Sequence, residues 1–220
     1  MKTVIFDLDG TLADTSGDLI AAANHCFERM GFAARLDPAR DAGTALKGGR
    51  AMLTLGLERE GRRDEALVDE WYPELLGAYG EALDVHTVLY PGAMDAVEAL
   101  RRADIRVGIC TNKPEALAQT LMMRLGVRSA FGSLIGADTL PTRKPDAAPY
   151  LRAVELAGGA VSRSCLIGDT VTDRDTARAA NVPCVLVGFG PSGGDMAALE
   201  PDAILDHYDD LPPLAERLLK

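Results

Sequence analysis

VIFDLDGTL, residues 4–12, is an apolar run that ends in two aspartates one residue apart. A continuous apolar run without polar alternation is typical of a strand that is covered on both faces of a sheet. A glycine and a threonine follow the second aspartate and indicate a turn. The stretch therefore predicts a strand over Thr3–Leu8 that brings Asp7 and Asp9 to one edge of a sheet.

Several later segments repeat this arrangement of short apolar runs bounded by Gly, Pro, Asp or Asn. The predicted strands are Arg106–Cys110, Ser133–Gly136, Cys165–Ile167, Cys184–Val187 and Ala203–Leu205. Helical patterns lie between them at Ala93–Arg102, Glu115–Leu125, Ala147–Ala157 and Thr172–Ala180. Strands that alternate with helices predict an α/β fold with a doubly wound, Rossmann-like parallel sheet.

Between the first strand and Pro91, apolar residues follow a helical spacing and no strand-like apolar run of length is present. Apolar residues recur at helical spacing from Leu19 to Met30, and further helices are predicted from Asp37-Pro38, from Arg50 and from Asp64. We therefore predict a helical cap domain, residues 16–85, inserted into an α/β core of residues 1–15 and 86–220.

Composition excludes some classes of function. The formal net charge of −10 argues against a nucleic-acid partner, because binding to phosphate backbones needs a basic patch. No segment has the length of a membrane span or the layout of a signal peptide, so we expect a cytoplasmic protein without a membrane partner. The four cysteines form no CxxC pair and are predicted to be reduced core residues. The sequence leaves open whether the chain is a monomer or a homodimer.

Polar residues follow four of the predicted strands, at the edge where ligands bind in open α/β sheets. They are Asp7 and Asp9, then Thr111, Asn112 and Lys113, then Lys144, and finally Asp169 with Asp173. Carboxylates that collect at one edge repel one another, and a hard divalent cation such as Mg²⁺ relieves that repulsion. The sequence therefore predicts a Mg²⁺ site with Asp7 and Asp169 as the best ligand candidates.

The same residues suit phosphoryl transfer. Thr111, backbone amides and Lys144 would supply donors and positive charge to a phosphate group. Side chains two apart on an extended segment point the same way, so one of Asp7 and Asp9 can be a nucleophile and the other an acid and base. The residues alone leave open which of the two takes which role.

Four segments resemble, in order, the four motifs of the haloacid dehalogenase-like superfamily. They are DLDGTLADT, ICTNKP, the Lys144-Pro145 step of TRKPDAAPY, and IGDTVTDRDTARAA. Within the superfamily the chain is most similar to phosphoglycolate phosphatases, through TNKP, the run DTLPTRKPDAAPYLRAVELAG and the tail VLVGFG…PDAILDHYDDL. The resemblance implies a phosphatase that acts on a small phosphorylated substrate, such as 2-phosphoglycolate, through an aspartyl-phosphate.

The resemblance also assigns roles. It makes Asp7 the nucleophile, Asp9 the acid and base, and the helical insertion a mobile cap. It implies Mg²⁺ ligands at the Asp7 carboxylate, the Asp9 backbone carbonyl and Asp169, with Asp173 in or near the shell. It implies a phosphoryl-binding set of Thr111, Asn112 and Lys144. The chain departs from the usual pattern at Ala147, where a proline is common, and at Asn181, where a glycine is common.

Alternatives stay open for several residues. Asp173 and Asn112 are also suited to capping the helices that follow them. Lys47 and Arg50 flank Gly48-Gly49 and could bind a substrate carboxylate, or they could be solvated charges beside an ordinary interhelical turn.

Other functions are also open. A sugar phosphomutase of the same superfamily is one, although its second motif is usually rich in serine. A haloacid dehalogenase is another, although it lacks the second aspartate. A non-catalytic binding module is the third, and such loss of activity should show as a missing nucleophile, acid or metal ligand.

Overall fold

The computed structural model describes residues 1–191 and 195–220, which fall into two units. One unit contains Met1–Ala13 and Leu89–Lys220, and the other contains Asp14–Val88. The predicted division into 1–15 with 86–220 and 16–85 differs from these bounds by two or three residues at each junction.

The described residues alternate between strands and helices over most of the first unit. The strands are β1 (Thr3–Phe6), β2 (Ala13–Asp14), β3 (Val88–Leu89), β4 (Arg106–Cys110), β5 (Ser133–Ile135), β6 (Ser164–Gly168), β7 (Cys184–Val187) and β8 (Ala203–Leu205). The α-helices are α1 (Ser16–Arg29), α2 (Pro38–Ala45), α3 (Gly49–Arg59), α4 (Glu65–Glu81), α5 (Ala93–Arg102), α6 (Glu115–Arg124), α7 (Ala147–Leu156), α8 (Val171–Ala180) and α9 (Leu211–Leu218).

Six strands form one parallel sheet in the order β5-β4-β1-β6-β7-β8. The chain builds outward from β1 through β4 to β5, then crosses back and builds outward on the other side through β6, β7 and β8. The doubly wound α/β fold predicted from the sequence is therefore confirmed. The switch in strand order lies at β1, which pairs with β4 on one side and β6 on the other, and ligands bind at such points in open sheets.

The first strand ends two residues earlier than predicted. The Leu8 carbonyl accepts hydrogen bonds from the amides of Thr11, Leu12 and Ala13, at 3.3, 3.0 and 3.1 Å, so the chain is already turning there. Asp7 and Asp9 therefore lie beyond the strand, and strand alternation is the wrong explanation for their placement. Their positions are set by the turn and by the side chains they contact.

The core of the sheet has helices on both faces. On one face, Ile5 of β1 and Leu166 of β6 are fully buried in a cluster that includes Tyr150 of α7. On the other face, Phe6 packs edge-on against Phe131, with ring centroids 6.2 Å apart. Because successive strand residues face opposite sides, burial of both neighbours explains why β1 is apolar throughout.

The second unit consists of helices α1 to α4. Gly56 of α3 permits close packing on α1, because a Cβ there would lie 2.1 Å from the Phe27 ring. Gly31 follows the end of α1 with φ +73°, a left-handed conformation that ends the helix. The long strand-free helical segment predicted from the sequence period is therefore present.

All four cysteines are free and buried, as predicted. Burial raises the pKa of Cys110, Cys165 and Cys184 to about 12, so these thiols stay protonated and unreactive. Among the described residues, no helix combines the length and the apolar character that a bilayer crossing requires.

Candidate active site

The carboxyl ends of β1, β4 and β6 bring three motifs together. Phe6 is in register with Ile109 on one side and Ile167 on the other. Asp7 follows the first of these strands directly, and its amide continues the ladder to the Ile167 carbonyl at 2.8 Å. Thr111 and Asp169 directly follow the other two strands, so all three lie at the same edge of the sheet.

Lys144 joins two of the aspartates. Its Nζ lies 3.0 Å from Asp7 Oδ2 and 2.6 Å from Asp173 Oδ1, and all three side chains are buried. The other oxygen of Asp7, Oδ1, accepts the Leu8 amide at 2.7 Å. The Asp7 carboxylate is thus fixed by a cation on one oxygen and a backbone donor on the other.

Burial dominates the electrostatics of Asp7. It raises the pKa of the carboxyl to about 7, with further increases from Asp173 and Asp9, although the Lys144 ammonium opposes this shift. Burial alone would lower the pKa of Lys144, but the carboxylates of Asp173 and Asp7 outweigh it, so the pKa is raised and the ammonium stays charged. An ionised Asp7 therefore needs more positive charge than Lys144 supplies.

Asp7, Asp169 and Asp173 each offer a carboxylate oxygen within 4.8 Å of the others. Thr11 Oγ1 donates to Asp169 Oδ1 at 3.1 Å and helps to orient that carboxylate. Gly168 makes room for the cluster, because a Cβ there would lie 2.3 Å from the Asp173 side chain. Three buried oxygen donors of this kind suit a hard divalent cation, so the residues present fit a metal.

Asp173 also caps the helix that carries it. Its Oδ2 accepts from the amides of Asp169 and Thr170, at 3.2 and 3.1 Å, and from the Thr170 hydroxyl at 2.7 Å. With Lys144 on Oδ1, both oxygens already have donors. The sequence left open whether Asp173 caps the helix or lies near the metal site. In the structure Asp173 both caps α8 and belongs to the acidic cluster.

Asp9 contacts Lys113, a residue that the sequence places at this edge of the sheet but to which it gives no role. Lys113 Nζ lies 2.8 and 3.1 Å from the two carboxylate oxygens of Asp9. The signal was available in the TNKP segment, where Lys113 follows Thr111 and Asn112. A lysine next to proline at a strand end looks solvated in sequence, and only the fold reveals that it is buried.

Thr111 and Asn112 have different environments. Thr111 is buried, and its hydroxyl accepts the Lys113 amide at 3.2 Å. Asn112 is exposed, and its Nδ2 donates to the Lys144 carbonyl at 3.0 Å. The alternative in which Asn112 caps the next helix is wrong, because the N-cap of α6 is Pro114 and the Glu115 amide donates to Asp138 Oδ1 at 2.7 Å. Asn112 instead ties the loop after β4 to the loop that carries Lys144.

Lys47 and Arg50 lie in the helical unit, and both are exposed. Arg50 forms an ion pair with Asp69 at 2.6 Å and stacks over Tyr72. The intervening glycines have structural explanations: Gly48 has φ +97°, and a Cβ on Gly49 would lie 2.7 Å from a Leu75 methyl group. Substrate contact by Lys47 and Arg50 stays a prediction.

Formal charges at this edge of the sheet do not balance. Among the described residues, the carboxylates of Asp7, Asp9, Asp169 and Asp173 share two paired ammonium groups, those of Lys113 and Lys144. The excess of two negative charges equals the charge of one divalent cation. The cluster can therefore hold such a cation and, through Lys144 and the cation together, a phosphate group.

Known proteins match nearly the whole chain. The family model for haloacid dehalogenase-like hydrolases matches residues 1–181. A phosphoglycolate phosphatase of Agrobacterium fabrum is 38% identical over 219 residues, covering 98% of this chain and 93% of the relative. The phosphoglycolate phosphatase of Mesorhizobium japonicum is 36% identical, covering 99% and 96%.

A crystal structure described as a predicted phosphoglycolate phosphatase from Haemophilus somnus 129PT has the same fold. It superposes with a TM-score of 0.84 at 23% identity and covers 97% of both chains. The family model and the relatives of similar length agree with the four ordered motifs and the acidic cluster at the switch point. This chain therefore belongs to the haloacid dehalogenase-like hydrolase family.

Proposed function

We propose that this protein is a Mg²⁺-dependent phosphatase that hydrolyses small phosphomonoesters through an aspartyl-phosphate, with 2-phosphoglycolate as the first candidate substrate. The names of the relatives from Agrobacterium fabrum and Mesorhizobium japonicum support the reaction and this substrate. The observation that carries the proposal is the buried Asp7 carboxylate, held between Lys144 and the Leu8 amide inside an acidic cluster.

In the first step, a carboxylate oxygen of Asp7 attacks the phosphorus atom and the bond to the ester oxygen breaks. Asp9 donates its proton to that oxygen, so the product leaves as a neutral alcohol rather than an alkoxide. Lys144, the Thr111 hydroxyl and Asn112 hold the phosphoryl oxygens. Hydrogen bonds and charge aimed at those oxygens stabilise the transferring group more than they stabilise the bound ester.

In the second step, water attacks the phosphorus atom of the aspartyl-phosphate. Asp9, now a carboxylate, takes a proton from that water, and the Asp7 carboxylate is regenerated with release of inorganic phosphate. Asp9 thus changes from acid to base between the steps. The nucleophile and the proton carrier must be separate groups, which accounts for two aspartates in the first motif.

Asp7 and Asp169 would hold Mg²⁺ directly, together with the Asp9 backbone carbonyl, and Asp173 would stand in or near the shell. When bound, the ion neutralises charge on the carboxylates and on the phosphoryl group. The carboxylate oxygens within 4.8 Å of one another support this assignment.

We also propose that the helical unit acts as a mobile cap, with Lys47 and Arg50 available to a substrate carboxylate. Its position in the chain supports this, because it is inserted between the first and second motifs. A lid that excludes water protects an acyl phosphate from unwanted side reactions. We place the activity in the cytoplasm, which the four free thiols support.

Release of inorganic phosphate from a panel of monoesters tests the proposal. The panel should contain 2-phosphoglycolate, a sugar monophosphate, a sugar bisphosphate and p-nitrophenyl phosphate, each with Mg²⁺ and with a chelator. We expect Mg²⁺-dependent release, fastest with a small carboxylated ester. Conversion of a sugar phosphate without free phosphate would instead identify a phosphomutase, and inactivity across the panel would identify a binding module.

A further inference from the structure

The contact between Lys113 and Asp9 is unusual because a lysine side chain is almost completely buried against a partly buried carboxylate. The Lys113 side chain is 3% exposed and that of Asp9 is 17% exposed. A buried ammonium is costly unless it is paired, so its location is specific rather than incidental. Lys113 is also distinct from Lys144, which contacts Asp7 and Asp173.

The backbone around Lys113 is fixed on both sides. Its amide donates to Thr111 Oγ1 at 3.2 Å, and its carbonyl accepts the Ala137 amide at 2.9 Å. Pro114 follows directly and restricts the backbone further. The ammonium is therefore presented to Asp9 from a rigid loop after β4, the strand that pairs with β1.

Asp9 itself lies beyond β1, at the start of a turn, and forms an isolated bridge with Ala13. The Gly10 amide donates to the Ala13 carbonyl at 2.9 Å, and Gly10 has φ +78°. The turn fixes the main chain, but an aspartate side chain on a turn can still adopt more than one rotamer. The two oxygen contacts from Lys113 select one of them.

We propose that Lys113 is a positioning residue that holds the Asp9 carboxyl in the orientation needed for proton transfer. This inference rests on the proposed phosphatase function and adds a residue to it. Lys113 acts through Asp9: it forms no bond to the phosphoryl group, and the proton passes between Asp9 and the ester oxygen or water. Loss of orientation by about 1 Å can reduce a proton-transfer step ~10- to 100-fold.

Reaction rates with two different leaving groups distinguish a role of Lys113 in proton transfer from a purely structural role. An alkyl phosphate needs a proton on its leaving oxygen, whereas p-nitrophenolate leaves readily without one. Rapid-quench measurement of alcohol or phenol release in a single turnover isolates the first step. For Lys113→Met we expect a loss of about 10-fold or more with an alkyl ester, but only about 2-fold with p-nitrophenyl phosphate.

Four further variants complete the experiment, two with single lysine changes and two in which Asp9 is replaced. Lys113→Arg keeps the positive charge and should recover part of the alkyl-ester rate, while Lys220→Met makes the same chemical change at an exposed lysine and should match the parent. In an Asp9→Asn background, Lys113→Met should cause no further loss, because residues that act as a unit are not additive.

Equal losses with both esters, or a full additional loss in the Asp9→Asn background, would overturn the positioning role and leave the phosphatase intact. An inactive parent protein would instead overturn the proposed function itself. Circular dichroism melting of Lys113→Met shows whether the variant is folded. If it is not, the milder Lys113→Gln should give the same dependence on the leaving group.

Discussion

Both units bury acidic side chains, but the partners that compensate the buried carboxylates differ. In the helical unit, Asp18 accepts hydrogen bonds from the His86 and Thr87 amides and from the Thr87 hydroxyl, at 2.8 to 3.1 Å. Asp41 forms a two-pronged pair with Arg59, at 2.7 and 2.8 Å. In the α/β unit, Asp7, Asp169 and Asp173 lie together within 4.8 Å.

The difference teaches that burial of an acid does not by itself indicate function. Asp18 and Asp41 each find their partners nearby in the fold, so their negative charge stabilises the structure. Among the described residues, the acids beyond the ends of β1 and β6 outnumber the ammonium groups paired with them, which destabilises the ionised site unless a ligand supplies positive charge. An uncompensated cluster, rather than a buried carboxylate, is therefore the useful sign of an active site.

Replacement of the nucleophile should have the largest effect on activity. For Asp7→Asn we expect phosphate release to fall by about 10⁴-fold or more, because the covalent route is lost. The matched control is Asp175→Asn, which changes an exposed acid on α8 and should keep nearly all of the activity. Retention of more than about one per cent of the rate would contradict a nucleophilic role for Asp7.

The same variant should become more stable while it loses activity. The pKa of Asp7 is raised to about 7 in the folded protein, so ionisation above the ordinary value of 3.8 opposes folding, and the penalty is complete above about pH 7. Metal-free Asp7→Asn should therefore have a higher melting temperature than the parent at pH 8, and the gap should narrow toward pH 4. Calorimetry in the presence of a chelator measures it.

A divalent cation should stabilise the α/β unit through the acidic cluster. At a Mg²⁺ concentration about 100 times the dissociation constant, we expect the parent to gain about 2.7 kcal/mol in unfolding free energy. Asp169→Asn should abolish most of this gain, whereas Asp41→Asn in the helical unit should preserve it. An equal response in both variants would show that Mg²⁺ binds elsewhere.

The sequence predicted the sheet well because its strands are continuous apolar runs with turn residues on both sides. β4, β7 and β8 have the predicted bounds. The end of β1 was missed because Leu8 is apolar yet turns, with its carbonyl bonded to three amides in place of a ladder partner. The short strands β2 and β3 have two residues each, too few to show a period.

Part of the candidate site was also predictable, because several of its residues directly follow predicted strands. Asp7, Thr111 and Asp169 follow strands, so the topology alone brings them to one edge. Lys113 was placed at that edge, but its contact with Asp9 was not predicted, because burial of a lysine depends on which loop packs over it and no local sequence pattern shows that. The roles of Asp173 as cap and as cluster member could not be separated either, since a first-turn aspartate suits both.

Loss of Asp18 tests the structural side of the comparison. Asp18→Ala leaves the buried Thr87 hydroxyl and two amides without their acceptor, so we expect a loss of about 3 kcal/mol in unfolding free energy. Asp69→Ala is the matched control, because this acid is exposed on α4 and its pair with Arg50 contributes less than about 1 kcal/mol. Equal effects in urea unfolding would mean that burial of the acceptor is unimportant.

The Asp41–Arg59 pair should give a smaller effect that depends on pH. Hydrogen bonds from Arg59 lower the pKa of Asp41, so the pair stabilises the protein above the ordinary pKa of 3.8 and ceases to do so as pH falls through the lower folded value. For Arg59→Met we expect a loss of about 2 kcal/mol at pH 7. In urea titrations, the difference in unfolding free energy between Arg59→Met and the parent should shrink below about pH 3.8. A difference that stays constant with pH would contradict a stabilising Asp41–Arg59 pair.

The smallest expected effect comes from exchanging the helix stops of the two units. α1 is followed by Gly31 at φ +73° and α8 by Asn181 at φ +53°, and both positions are exposed. Glycine has no Cβ to oppose this conformation and asparagine tolerates it, so Asn181→Gly should gain about 0.5 kcal/mol and Gly31→Asn should lose a similar amount. Nothing lies within 4 Å of a Cβ on Gly31, so crowding does not obscure the comparison. Urea midpoints of both variants measure it, and destabilisation by both exchanges would show that the Asn181 side chain makes a contribution of its own.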